Sequence, residues 1–206
     1  MSDSGTKASD RNYRWYLIGN FSSSIGVWTQ RTAIGWLAWD ITHSATWLGI
    51  IALAETGPTI ALGLYAGVVL DRLNHLGVLR FTQFLTLLYS VALCALMASG
   101  YMNIWILTGL VLFRGAVFAF NRPARQTVVY ELVGREKLLQ ALAQNAMIFQ
   151  TSKFIGPAVG GATLVAFGIS WTFAISILLI SVFTGALRLL TVPEQVRKAR
   201  EPKRLV

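Results

Sequence analysis

Residues 81–99 read Phe-Thr-Gln-Phe-Leu-Thr-Leu-Leu-Tyr-Ser-Val-Ala-Leu-Cys-Ala-Leu-Met-Ala-Ser, without a charge, a proline or a glycine among them. About 20 mostly apolar residues suffice for a helix to cross the hydrocarbon core of a bilayer, which is roughly 30 Å thick. Arg80 precedes the run, and Ser99-Gly100-Tyr101-Met102-Asn103 turns the chain before another apolar stretch begins at Ile104. Working outward in both directions, the same pattern recurs until six helices are expected, near 15–40, 45–70, 79–99, 102–121, 139–163 and 171–190. Residues 1–14 are polar and lack the apolar centre and small-residue cleavage site of a secretory signal, so they read as a tail. Residues 191–206 read as a second polar tail or the start of a linker.

The composition agrees. In 206 residues, 54% are hydrophobic and only 13% charged, with a mean hydropathy of +0.56. Soluble domains carry about 25% charged residues, so a soluble globular enzyme, a disordered chain and a disulfide scaffold are all excluded. Cys94 is the one cysteine, which leaves no intrachain disulfide. A net charge of +9 would suggest nucleic acid in a soluble protein. Its distribution points elsewhere. The connections at 40–46, 99–103 and 168–170 carry no Lys or Arg, whereas fifteen of the 18 Lys and Arg flank the other connections and the two tails. Cytoplasmic loops collect Lys and Arg, so both termini are expected in the cytoplasm. Trp39, Trp47, Trp105 and Trp171 fall near the expected outer ends and Trp15 near an inner end, as in an interfacial belt. Trp28 and Trp36 are expected inside the bundle.

Helices two and five share an interruption. One contains Gly57-Pro58-Thr59-Ile60-Ala61-Leu62-Gly63 and the other Gly156-Pro157-Ala158-Val159-Gly160-Gly161. Proline removes a helical hydrogen bond, and glycine admits a neighbouring helix. As second members of two successive three-helix groups, the pair predicts a 3+3 inverted repeat, a pattern associated with transporters.

Arg31, Glu55, Arg114 and Lys153 are the charges left inside the expected spans. At about 1.5 Å per residue all four lie about 14–18 Å from the outer ends, close to mid-membrane. Each would cost about 2.5–3.5 kcal/mol there on an insertion scale, so they are expected to face one another or a wet cavity. Two readings stay open: a polar functional cavity, or structural pairing such as Arg31 with Glu55. Helix one, with Asn20, Ser22, Ser23, Ser24, Thr29, Gln30 and Thr32, is too polar to face lipid. Three cations against one acid favour an anionic or electron-rich substrate over a purely cationic one. Gly67 is expected to permit close packing at the inner helix ends, where Asp71 can pair with Arg72 or with a partner helix. His43 and His75 read as solvated loop residues, and Cys94 as a small core residue. No His-rich metal cluster, Ser/His/Asp arrangement or phosphate loop is visible, so the reading calls for no enzyme, metal or cofactor.

The stretch Gly67-Val-Val-Leu-Asp71-Arg72 resembles the start of the loop signature G-x-x-x-D-R-x-G-R-[RK] of the major facilitator superfamily. Leu73, Asn74, His75 and Leu76 depart from its later part. Gly156-Pro157-Ala158-Val159-Gly160-Gly161 is similar to the exporter-associated G-P-x-x-G-G, with Ser152 in place of the upstream glycine. Arg114-Gly115 resembles the helix-four motif whose arginine is linked to proton coupling. Residues 121–126 and 131–136 are similar to the segment after helix four in bacterial siderophore and macrolide exporters, most of all the enterobactin-exporter branch. The resemblance covers residues 12–195. It implies an all-α integral membrane six-helix bundle, the amino-terminal half of a major facilitator fold. It also implies a proton-coupled antiporter exporting a siderophore, drug or similar amphipathic molecule from a plasma (inner) membrane. Glu55, Arg31, Arg114 and Lys153 would serve proton coupling, Gly67, Asp71 and Arg72 the gating loop, and Gly156, Pro157, Gly160 and Gly161 the helix-five motif. A second six-helix half, in the same chain or a dimer, is the implied partner beside substrate, protons and lipid. A truncated fragment or a non-transporting six-helix subunit is the alternative.

Overall fold

The computed structural model describes residues 3–70, 73–134 and 137–189, with side chains from residue 11 onward. Those residues form six helices: α1 (Asp3–Thr42), α2 (Ala45–Leu70), α3 (His75–Ala98), α4 (Ile104–Val133), α5 (Leu138–Phe167) and α6 (Ile169–Leu189). The all-α bundle expected from the sequence is what forms. Local signals set several boundaries. The Asn74 side chain accepts from the Gly77 N–H at 3.3 Å and Asn103 from the Ile106 N–H at 2.9 Å, so each satisfies an orphan donor at a helix start. Gly168, at φ +82°, ends α5 and lets α6 begin at the next residue.

By length and composition α2, α3, α4 and α6 can each cross a membrane. α1 and α5 are long enough but less apolar: α1 carries Asn20, Ser23, Thr29 and Gln30 into the interior, whereas Gln140, Gln150, Thr151 and Lys153 of α5 are exposed. Two boundaries depart from expectation. α1 begins at Asp3, so residues 3–14 are helical where a tail was expected. α4 continues to Val133 with Pro123 inside it, so Arg122 and Arg125 belong to a helix and not to a loop.

The packing repeats across the two three-helix groups. α1 packs along α5 and α6, while α4 packs along α2 and α3. α1 also meets α4, and α3 meets α6, across the centre. This is the arrangement an inverted repeat requires, with the seam between α2 and α4 mirrored by that between α5 and α1.

The interior is layered along the helix axes. At the basic end, where the Lys- and Arg-rich connections lie, Tyr16, Leu79, Val128, Phe183 and Leu187 belong to one apolar cluster. At the opposite end Leu37, Leu93, Leu107 and Phe173 belong to another. Between them lie buried Asn20, Ser23, Thr29, Gln30, Gln83 and Asn121. α1 threads all three layers, which accounts for its low apolarity. Trp36, expected inside, is 52% exposed. Trp28 is half-buried, and Cys94 packs beside the second cluster.

Candidate functional site

In the middle layer one glycine decides the approach of α2 to α4. A Cβ on Gly115 would lie 2.6 Å from the Glu55 carbonyl oxygen, closer than a side chain tolerates. Thr59 Oγ1 donates to the Gly115 carbonyl at 3.0 Å across the same crossing. The neighbour of that glycine, Arg114, is therefore delivered to Glu55, and its Nη1 donates to Glu55 Oε1. Arg31 arrives from α1, with Nε 3.0 Å from Oε2. One carboxylate thus bridges two guanidiniums on two helices. The Arg114 side chain is 8% exposed, Glu55 17% and Arg31 41%, so the pair nearest the core is Arg114 with Glu55 and Arg31 forms the open side. A cavity of about 180 Å³ adjoins them, lined by these three residues and by Ile34, Leu48, Ile51 and Val111 among others. It lies toward the end of the bundle where α1 runs into α2. Charge-assisted hydrogen bonds of this kind are among the stronger polar contacts a protein makes. Protonating Glu55 would remove the charge that holds both cations.

Lys153 does not join the cluster, although its depth suggested that it would. α5 packs on α1, whereas Glu55 lies on α2, which packs on α4. Equal depth fixes height but not direction around the bundle. Lys153 Nζ instead lies 4.7 Å from the centre of the Phe149 ring and 5.8 Å from that of Trp28. Arg31 Cζ lies 4.9 Å from the Trp28 ring, so this indole touches both the lysine and the ion cluster.

The helix-five motif sets that geometry. A Cβ on Gly156 would fall 2.2 Å from the Trp28 Cβ, and one on Gly160 3.1 Å from the Thr29 carbonyl oxygen. Thr29 Oγ1 donates to the Gly156 carbonyl at 3.1 Å. Pro157 sits between the two glycines within the continuous α5. Gly161 and Gly67, by contrast, have no atom within 4 Å of an added Cβ among the described residues. The close packing expected at Gly67 is therefore not formed here. That glycine lies on the exposed side of the last turns of α2. Asp71 and Arg72 lie outside the described residues.

Two polar clusters went unread in the sequence. His75 is not a solvated loop residue: it begins α3, is buried, and its Nδ1 lies 2.9 Å from Glu131 Oε1 on α4. Arg125 is held by Asn20, which its Nη1 meets, and by Gln83 Oε1 at 3.4 Å. Asn20 Nδ2 donates onward to Asn145 Oδ1 at 2.7 Å, and the Arg125 guanidinium lies 4.8 Å from the Phe183 ring. This network ties α1, α3, α4, α5 and α6 together toward the basic end. Asn20 and Gln83, both amides within apolar spans, were the available signal.

Known proteins with a similar sequence are membrane transporters. The staphyloferrin A transporter of Staphylococcus aureus is 26% identical over 161 residues, covering 78% of this chain and 41% of that protein. The enterobactin exporter of Shigella flexneri is 27% identical over 185 residues, covering 88% of this chain and 44% of its own length. An uncharacterised major-facilitator-type transporter of Bacillus subtilis is 26% identical over 155 residues, 75% of this chain and 36% of the relative. The chain thus spans about two fifths of the length of these relatives. No solved structure matches it. The profile of the transmembrane secretion effectors matches residues 7–205, nearly the whole chain. A multi-pass membrane protein, this chain belongs to the transmembrane secretion effector family, a branch of the major facilitator superfamily.

Proposed function

We propose that this chain is one six-helix half of a proton-coupled exporter of amphipathic small molecules, siderophores foremost. The observation that carries the reading is Glu55. It is a mid-helix carboxylate clamped between Arg31 and Arg114 beside a cavity, in a layer separating two apolar clusters. A group at that depth is costly unless it is paired or used. A proton on Glu55 leaves two guanidiniums facing each other, and the exposed one on α1 is the freer to leave. Proton uptake then loosens α1 from α2 while glycine packing keeps α2 on α4, so one titration becomes a relative movement of helices. The names of the siderophore-handling relatives support the substrate class. The chain's share of their length supports a second six-helix half, which would close the other side of the cavity. Lys- and Arg-rich connections at one end support cytoplasmic termini in an inner membrane. The site offers transport rather than bond-breaking chemistry, so no catalytic residue or cofactor is assigned.

The test is efflux from proteoliposomes holding the full-length transporter under an imposed pH gradient. Glu55→Gln keeps size and hydrogen bonding but not the titratable charge. It is expected to lose gradient-driven efflux while substrate binding persists. Full gradient-driven efflux from normally folded Glu55→Gln protein would refute the role of Glu55 and turn attention to Asp71.

A further inference from the structure

We infer that Lys153, Trp28 and Phe149 form a substrate subsite for an organic anion bearing an aromatic ring, adjoining the Glu55 ion cluster through Trp28. The inference rests on the transporter reading above and gives its substrate a place. Lys153 is exposed on the face of α5, at a depth where an ammonium is expensive. An ammonium has three N–H donors. Among the described residues none of these donors meets an acceptor, and no carboxylate lies within ion-pair reach. Arg31 and Arg114 differ in this respect, since Glu55 answers both. The aromatic rings soften the cost for Lys153 through their negative faces, but a ring face does not replace an oxygen acceptor for three donors. The site is one anion short.

Its walls indicate the kind of anion. Trp28 and Phe149 meet edge to face at 62°, with ring centres 6.0 Å apart, and so form an apolar corner beneath the ammonium. Phe149 is 36% exposed and Trp28 is half-buried, so part of the corner is open. A carboxylate or phenolate can satisfy the ammonium while the ring that carries it packs against the corner. Offset or edge-to-face ring contacts favour an aromatic over an aliphatic body there. The backbone at Trp28 is also tightly packed, because a Cβ on Gly156 would fall 2.2 Å from the Trp28 Cβ. Proton and substrate would then use different side chains, with the Trp28 indole touching Arg31 on one side and Lys153 on the other.

Titration calorimetry on the full-length transporter in detergent tests this with three probes. They are 2,3-dihydroxybenzoate (an aromatic anion), 2,3-dihydroxybenzamide (its neutral counterpart) and citrate (a non-aromatic anion). The wild type is expected to bind the benzoate at least about tenfold more tightly than either other probe, as loss of a charge-assisted contact or of ring packing implies. Lys153→Gln should weaken benzoate binding about tenfold or more. Lys153→Arg should restore it to within about threefold, since the guanidinium keeps both charge and donors. Phe149→Leu should weaken the benzoate selectively and leave citrate unchanged. Failure of the wild type to bind the benzoate, equal affinity for citrate, or unchanged affinity in folded Lys153→Gln would each overturn the subsite. Wild-type efflux under a pH gradient is measured in parallel. Efflux with an indifferent Lys153→Gln removes the subsite alone, while Lys153-dependent binding without efflux removes the transport reading alone.

Discussion

Removing the Glu55 charge has a structural cost that the geometry apportions between its two partners. Arg114 is almost completely enclosed, whereas Arg31 is 41% exposed. Breaking a buried pair by deleting one partner costs about 3–5 kcal/mol, because the remaining ion is left buried and uncompensated. A pair open to solvent is worth about 0–1 kcal/mol after screening. Glu55→Gln is therefore expected to destabilise the folded protein by about 3–5 kcal/mol, nearly all of it through Arg114. Two double variants separate the partners. Glu55→Gln with Arg114→Gln removes the stranded cation and should recover most of the loss. Glu55→Gln with Arg31→Gln leaves Arg114 unpaired and should recover about 1 kcal/mol at most. The measurement is the unfolding free energy of the purified transporter in detergent micelles, titrated with denaturant for wild type, single variants and both doubles. Greater recovery from the Arg31 double than from the Arg114 double would refute the assignment of Arg114 as the inner partner. Recovery from neither would mean that Glu55 makes its stabilising contacts elsewhere.

Two further outcomes follow from the helix boundaries and crossings. With Cys94 replaced by Ser, a cysteine at Thr46, on the exposed first turn of α2, should react with a membrane-impermeant maleimide applied to intact cells. One at Leu73, in the exposed turn before α3, should react only after lysis; the opposite pattern would invert the proposed orientation. Gly156→Ala should cut both folded yield and transport, because the new methyl would lie 2.2 Å from the Trp28 Cβ, whereas Gly161→Ala meets no atom within 4 Å and should be tolerated. Equal tolerance, measured by fluorescence-detected gel filtration and efflux, would show that α1 and α5 can part without consequence. Gly168 makes a poor control for this comparison, since its positive φ disfavours any side chain.

The helix count could be read from the chain because it follows from one-dimensional quantities. Charge-free runs have a length, and a helix rises by a fixed step per residue. The crossing at Gly156 was legible for a related reason, since a Gly-Pro-x-x-Gly pattern inside an apolar helix has few uses. What the chain did not display was direction around the bundle. Lys153 and Glu55 are expected at one height, but neighbouring helices decide which way each looks. The extension of α4 was hidden because Arg122, Pro123 and Arg125 resemble a loop when taken alone. Proline forfeits only local hydrogen bonding, and Arg125 finds its oxygens on Asn20 and Gln83, some 105 and 42 positions away in sequence. The pairing of His75 with Glu131 was missed for the same reason, because neither residue has a local partner pattern that announces the other.

The contact between Gly156 and Trp28 also bears on how the protein can change over generations. Most steric faults can be repaired by trimming the opposing side chain. Here the opposing atoms are the Trp28 Cβ, Cα and carbonyl carbon, which every residue except glycine shares in full. No ordinary substitution at position 28 makes room for a methyl at position 156, and glycine there would remove the indole that touches Arg31 and Lys153. Second-site revertants of a damaged position 156 should therefore cluster away from residue 28, at positions that let α1 slide or tilt as a unit. The seam between α1 and α5 is in this sense inherited whole.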